Sequence, residues 1–175
     1  MTQIKCFSCG GFFPDIEGPV HRYMDSSPGC WSDFGELMAM HYSDPRYREV
    51  HRIAVDAYAA QHPGSAQSRQ AIQSVGVHLV RLYLFLEHGL GEEKANDAIC
   101  LAAKSKNQFF ALKPPSSFGL ITVADILKES ELDDHKQAVR QWASSVWKAW
   151  ANHHDTIRDW ADNCLKRPLA GQRQD

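Results

Sequence analysis

The sequence predicts an all-α fold, a helical bundle preceded by a loop-rich N-terminal segment. From about residue 32 onward, apolar residues recur in steps of three and four, the period that puts side chains on one face of a helix. The breaks between these stretches are helix punctuation: Asp44-Pro45, Pro63-Gly64, Gly89 and Pro114-Pro115. The first 31 residues lack this period and instead hold three of the five cysteines, a histidine and two Gly/Pro breaks. Such a stretch is organised by ligands rather than by a core.

At 175 residues, with 43% hydrophobic and 10% aromatic content, the chain can bury one ordinary core, and one domain over 1–175 is expected. Its 19 basic and 21 acidic residues are spread along the chain and leave a formal charge of −2. Without a basic block, nucleic acid and anionic membranes are not the expected partners. No apolar run has signal-peptide length or the roughly 20 residues that span a bilayer, so a cytoplasmic protein with no membrane segment is expected. An odd number of cysteines, two of them three positions apart, fits metal binding in a reducing compartment better than a disulfide framework.

The N-terminal segment, 1–31, opens with Cys6-Phe7-Ser8-Cys9-Gly10-Gly11. Two thiolates at this spacing reach one ion from a tight turn, and the glycines let the backbone fold round it with its N–H groups aimed at sulfur. His21 in GPVHRYM and Cys30 in SPGCW are the nearest groups that complete a tetrahedron. The expected ligand set for Zn2+ is therefore Cys6, Cys9, His21 and Cys30, which makes the fold a helical bundle with a zinc-tied N-terminal segment. A redox pair or two unrelated thiols are the alternatives, but the glycines and Pro14 oppose the helix that usually follows a redox CxxC.

The helical core is expected over 32–106. Ser32 is a candidate N-cap for a short helix to about His41, and Asp44-Pro45 starts a second that ends near His62, before Pro63 and Gly64. On that helix His51, Val55, Tyr58 and His62 fall within roughly 60° of one another, with Asp56 off the stripe. A third helix from near Ser65 to Gly89 is apolar nearly all round, the mark of a central helix, with His78 in its middle. A fourth is expected over Gly91 to Lys106, with Cys100 a small buried residue. The connector, 107–121, contains two prolines and cannot be helical throughout. In the C-terminal part, 122–166, Thr122-Val-Ala-Asp125 resembles a capping box opening a short helix. A last long helix from Asp133 to Leu165 repeats a stripe at 139, 142, 146, 150, 153, 157, 160 and 164, including Trp142, Trp150 and Trp160. The tail, 167–175, is polar.

A buried histidine is more often a hydrogen-bonded core residue than a ligand. Nevertheless His51, His62 and His78 could supply three imidazoles to a second metal with an open position for water.

The blocks CxxCG, GPVHRYM, SPGCW, DAYAAQHPG, QSVGVHL, TVAD and WASSVWKAWANHH together resemble an uncharacterised bacterial domain-of-unknown-function family over nearly the whole chain. The resemblance implies a bacterial protein whose characteristic positions include Cys6, Cys9, His21, Cys30, Asp56, Tyr58, Gln61, His62, Gln73, His78, Trp147 and Trp150. It implies no activity. Gln61, His62, Gln73 and His78 are more polar than packing requires, and an unpaired polar group in an interior costs roughly 1–3 kcal/mol. Two functions follow. In one, zinc is structural and a small-molecule pocket near His62 and His78 supports hydrolysis or group transfer, with His62 or His78 as base or metal ligand and Asp56 or Tyr58 as orienting partner. In the other, the protein is a non-enzymatic interaction module shaped by zinc.

Overall fold

A computed structural model of the chain describes residues 2–89 and 106–165. The fold is a helical bundle with one small antiparallel hairpin, β1 (Gln3–Lys5) and β2 (Phe12–Pro14), in which Ile4 pairs with Phe13. Among the described residues six α-helices follow: α1 (Pro28–Ser43), α2 (Arg48–Gln61), α3 (Arg69–Leu86), the single turn α4 (Val123–Ile126), α5 (Leu132–Ala149) and α6 (His154–Leu165). The helix expected over Gly91 to Lys106, with Cys100, lies outside the described residues except for Lys106, which opens a 3-10 turn. The polar tail also lies outside them.

α1 begins five residues earlier than an N-cap at Ser32 would have it. Ser27 is the N-cap, its Oγ accepting from Cys30 N, and Pro28 takes the first turn, where a missing N–H costs nothing. This early start puts Cys30 inside the helix. Gly29 sits so close to β2 that an added Cβ would lie 2.2 Å from the Pro14 carbonyl oxygen. A side chain there would push the hairpin off the helix.

α3 is central, packing on α2, α5 and α6, as its apolar composition predicts, and α2 is the more enclosed of the two. α2 packs on α1, α3 and α5, most extensively on α5. Nine of its 14 residues are buried, among them Ala54, Ala57, Ala59 and Ala60, and these small side chains let neighbouring helices approach on several sides. α3 starts at Arg69, with Ser68 Oγ accepting from Ala71 N, rather than at Ser65.

The expected last helix is interrupted. Trp150 leaves helical geometry (φ −86°, ψ 13°), a 3-10 turn spans Ala151–His153, and α6 resumes at His154. Side chains stabilise the break: the His154 ring donates to the Trp147 carbonyl at 2.9 Å and the His153 ring to the Lys113 carbonyl at 2.9 Å. Trp150 Nε1 donates to the Ala60 carbonyl at 3.0 Å, and the tryptophan is buried against α2. The expected capping box is present, with Thr122 N donating to Asp125 Oδ2 at 3.0 Å.

Candidate metal centre

The hairpin, the N-terminus of α1 and the C-terminus of α2 converge on four buried side chains, Cys6, Cys9, Cys30 and His62, whose donor atoms all lie within 4.8 Å of one another. These four could hold a metal ion. Cys6 and Cys9 stand on the turn that joins β1 to β2, closed by Gly10 N donating to Cys6 O (3.0 Å) and Cys6 N donating to Gly11 O (2.8 Å). Gly10 has φ +76°, the left-handed conformation that glycine adopts without strain. Cys30 comes from the first turn of α1 and His62 from the C-cap of α2.

The donor spacing fits a tetrahedral ion. Bonds of about 2.3 Å to sulfur and about 2.0 Å to nitrogen place two sulfurs about 3.8 Å apart and a sulfur and a nitrogen about 3.5 Å apart. Here Cys9 Sγ and Cys30 Sγ are 3.9 Å apart, and Cys30 Sγ and His62 Nε2 are 3.3 Å apart. His62 Nδ1 donates to the Tyr58 carbonyl at 2.8 Å, which fixes the tautomer and leaves the Nε2 lone pair facing the sulfurs. Ser27 N donates to Cys6 Sγ at 3.4 Å, and the Tyr58 hydroxyl lies 3.5 Å from Cys30 Sγ.

The electrostatics have the same signature. Hydrogen bonds from Cys30 and Cys9 hold the Cys6 thiol far below the ordinary range, so one thiolate forms readily. The next two do not. Cys9 is pushed up to about 12: the hydrogen bond from Cys30 favours its thiolate but is outweighed by its bond to Cys6 and by burial. Cys30 is pushed up by its hydrogen bonds to Cys6 and Cys9, and burial adds to this. Three thiols gathered out of water cannot all ionise without a cation among them. Burial, followed by the charge on Cys30, also raises the Tyr58 hydroxyl.

The fourth member of the cluster is therefore His62, whereas the sequence pointed to His21. His21 Nδ1 accepts from Tyr23 N at 3.1 Å, and its ring packs on Trp31 with centroids 5.2 Å apart. Burial lowers its pKa, and His78 adds to the effect. Tyr58, between Phe34 (3.9 Å) and His62 (4.1 Å), forms a wall of the centre.

Asp56 and His78 come together away from this cluster. His78 Nδ1 donates to Asp56 Oδ1 at 2.8 Å, and Arg81 Nε lies 2.9 Å from Asp56 Oδ2. The carboxylate is buried while the imidazole keeps 19% of its side-chain surface exposed. His51, His62 and His78 do not share a site. His51 packs at the other end of α2, its ring 5.7 Å from that of His41, and His41 Nε2 lies 2.8 Å from His135 Nε2. Among the described residues, the cysteine–histidine cluster is the one group of three or more such donors close enough to share an ion.

Among the described residues, no helix is long and apolar enough to cross a membrane. No curated protein and no solved structure matches the chain. A family model does match, over residues 4–151, a span that includes all four members of the cluster. The chain belongs to DUF5946, a family of unknown function.

Proposed function

We propose that the protein binds Zn2+ through Cys6, Cys9, Cys30 and His62 and that the ion is structural, fastening the N-terminal hairpin to α1 and α2. The supporting observation is four buried protein donors, three of them sulfur, with the imidazole already oriented by a backbone carbonyl. Four protein ligands leave no open position for substrate water, the pattern of a structural site. Zinc would cancel two of the three thiolate charges. The described cysteines are free thiols, a state that fits the cytoplasm. Elemental analysis of protein purified without chelator should give one zinc per chain, lost in Cys9→Ser. Cobalt substitution should give the intense visible bands of a tetrahedral thiolate site. A metal-free, fully folded protein would refute the proposal.

A second reading, an enzyme of hydrolysis or group transfer, rests on the Asp56–His78 pair. With Nδ1–H committed to Asp56, His78 Nε2 is left as the basic atom, and a carboxylate behind an imidazole is the arrangement of an oriented general base. Turnover of simple ester or phosphoester substrates, abolished in His78→Gln with zinc content and melting temperature unchanged, would support this reading. Equal turnover in both proteins would end it.

A further inference from the structure

A cavity of about 450 Å³ lies on the outer side of the metal centre, within the range of small-molecule pockets. One wall is the hairpin turn that carries Cys6 and Cys9, and the other is the loop at Ser116–Phe118. Both walls are held from behind. The turn is fixed by its backbone bonds and by the ligand cluster. The loop is fixed by Gln61, fully buried at the end of α2, whose Nε2 donates to the carbonyls of Phe118 (3.2 Å) and Ile121 (2.9 Å) and whose Oε1 accepts from Trp142 Nε1 (3.1 Å). A cavity with both walls anchored to one helix end is preorganised.

Apart from the sulfurs of Cys6 and Cys9, which belong to the metal centre, its lining carries one charged side chain. Lys5 contributes an ammonium, and the hydroxyls of Ser8, Ser116 and Ser117 contribute donors, with no carboxylate among the lining residues. Two aromatic rings complete it. Phe118 is buried, but Phe7, at the tip of the turn, is 71% exposed, a large apolar surface left to water at the rim. A ligand that satisfied both features would offer an anion to Lys5 and the hydroxyls and a flat apolar face to Phe7.

We propose that this cavity binds a small aromatic molecule carrying one anionic group, phosphate or carboxylate. Lys5 and the serines take the anion and Phe7 covers the ring. The proposal uses the zinc reading only for the rigidity of the turn.

Calorimetric titration of the zinc-loaded protein with phenyl phosphate and with phenylacetate tests it, with benzylamine and benzyl alcohol as charge controls. At least one of the two anions should bind saturably, and the controls should not. Lys5→Met should weaken the anion by about 10-fold or more, the loss of one charge-assisted hydrogen bond. Phe7→Ser should weaken phenyl phosphate while leaving any binding of inorganic phosphate unchanged. No saturation by either anion up to about 10 mM would overturn the proposal, as would benzylamine binding as well as the anions or Lys5→Met binding as tightly as wild type. Zinc content and melting temperature measured on the same samples separate the two ideas. A zinc-loaded, folded protein that binds no anion removes the cavity proposal alone, whereas a protein without zinc removes the metal centre.

Discussion

His62→Ala separates the candidate ligand set that the structure brings together from the one nearest in sequence. The imidazole is fully buried, stacked on Tyr58 with ring centroids 4.1 Å apart and bonded through Nδ1 to the Tyr58 carbonyl. Truncating a buried ring of this size costs about 2 kcal/mol or more in lost packing. Loss of a residue that merely supports a metal ligand costs 10–100-fold in affinity, and loss of a ligand at least as much, about 1.4–2.7 kcal/mol. Because a structural ion binds only the folded chain, that loss adds to the packing term, giving about 4 kcal/mol. For a protein of this length, about 2–4 °C per kcal/mol translates this into a fall in melting temperature of roughly 8–16 °C. His21→Ala removes one acceptor for a loop N–H and a ring contact with Trp31, worth about 1 kcal/mol and therefore under about 4 °C. The assay is zinc retained after a chelator challenge, measured with thermal unfolding on wild type and both variants. His62→Ala should lose its zinc to chelator and His21→Ala should keep it. Zinc held as firmly in His62→Ala as in wild type, or lost in His21→Ala, would refute the assignment.

Gln61→Leu strands the carbonyls of Phe118 and Ile121 and the indole N–H of Trp142. At about 1 kcal/mol or more for each orphaned group, urea unfolding should show a loss of about 3 kcal/mol or more, with zinc retained. Gly29→Ala forces a Cβ against the Pro14 carbonyl, and overpacking of about 1–3 kcal/mol should appear as a lowered melting temperature, with amide exchange speeding up in the hairpin first. The buried His41 and His135 make stability depend on pH. His41 is held down to about 3 by burial, with His135 and His51 adding to the shift, and His135 is lowered by burial against the opposing Glu129 carbonyl. Because these folded values lie below the ~6.5 of an unfolded imidazole, the unfolded chain takes up protons first. Their contribution is complete above about pH 6.5 and falls away below it, and His41 alone accounts for about 2 kcal/mol between pH 6.5 and 5. Urea midpoints at pH 7 and pH 5 should differ less in His41→Gln than in wild type, and an equal difference would show that the pair is not the source.

The residues themselves account for which features were legible. Helix class could be read because the signals are local: Thr122 as a cap, Asp44-Pro45 as a start, Pro63-Gly64 as a stop. Cys6, Cys9 and Cys30 were legible as a group because a metal loop is dense in cysteine over a short span. His62 was not, since it approaches Cys30 from 32 positions away and only the packing of α2 on α1 brings it there. On a helical wheel it looked like one more member of the His51–Tyr58 stripe. The only local hint was its place at a helix end before Pro-Gly, where a side chain escapes the bundle period. The enclosure of α2 was hidden for a related reason. Periodicity weighs bulk, which favours α3, whereas close helix packing favours alanine. The break at Trp150 lies inside an unbroken three-four repeat, and ring nitrogens of His153 and His154 reaching distant carbonyls decide it.

The order in which the candidate metal ligands leave the ribosome has a consequence for assembly. All four candidate ligands, and the Tyr58 carbonyl that orients the last of them, lie within the first 62 residues of the chain. Capture of the ion requires nothing synthesised after His62. α5, against which α2 packs most extensively, comes from the far end of the sequence. During vectorial synthesis an ion bound at this cluster would therefore gather the hairpin, α1 and the end of α2 while the remaining surface of α2 is still bare. Because closing a longer loop costs only slightly more, the distance in sequence between α2 and α5 adds little to the cost of that later docking.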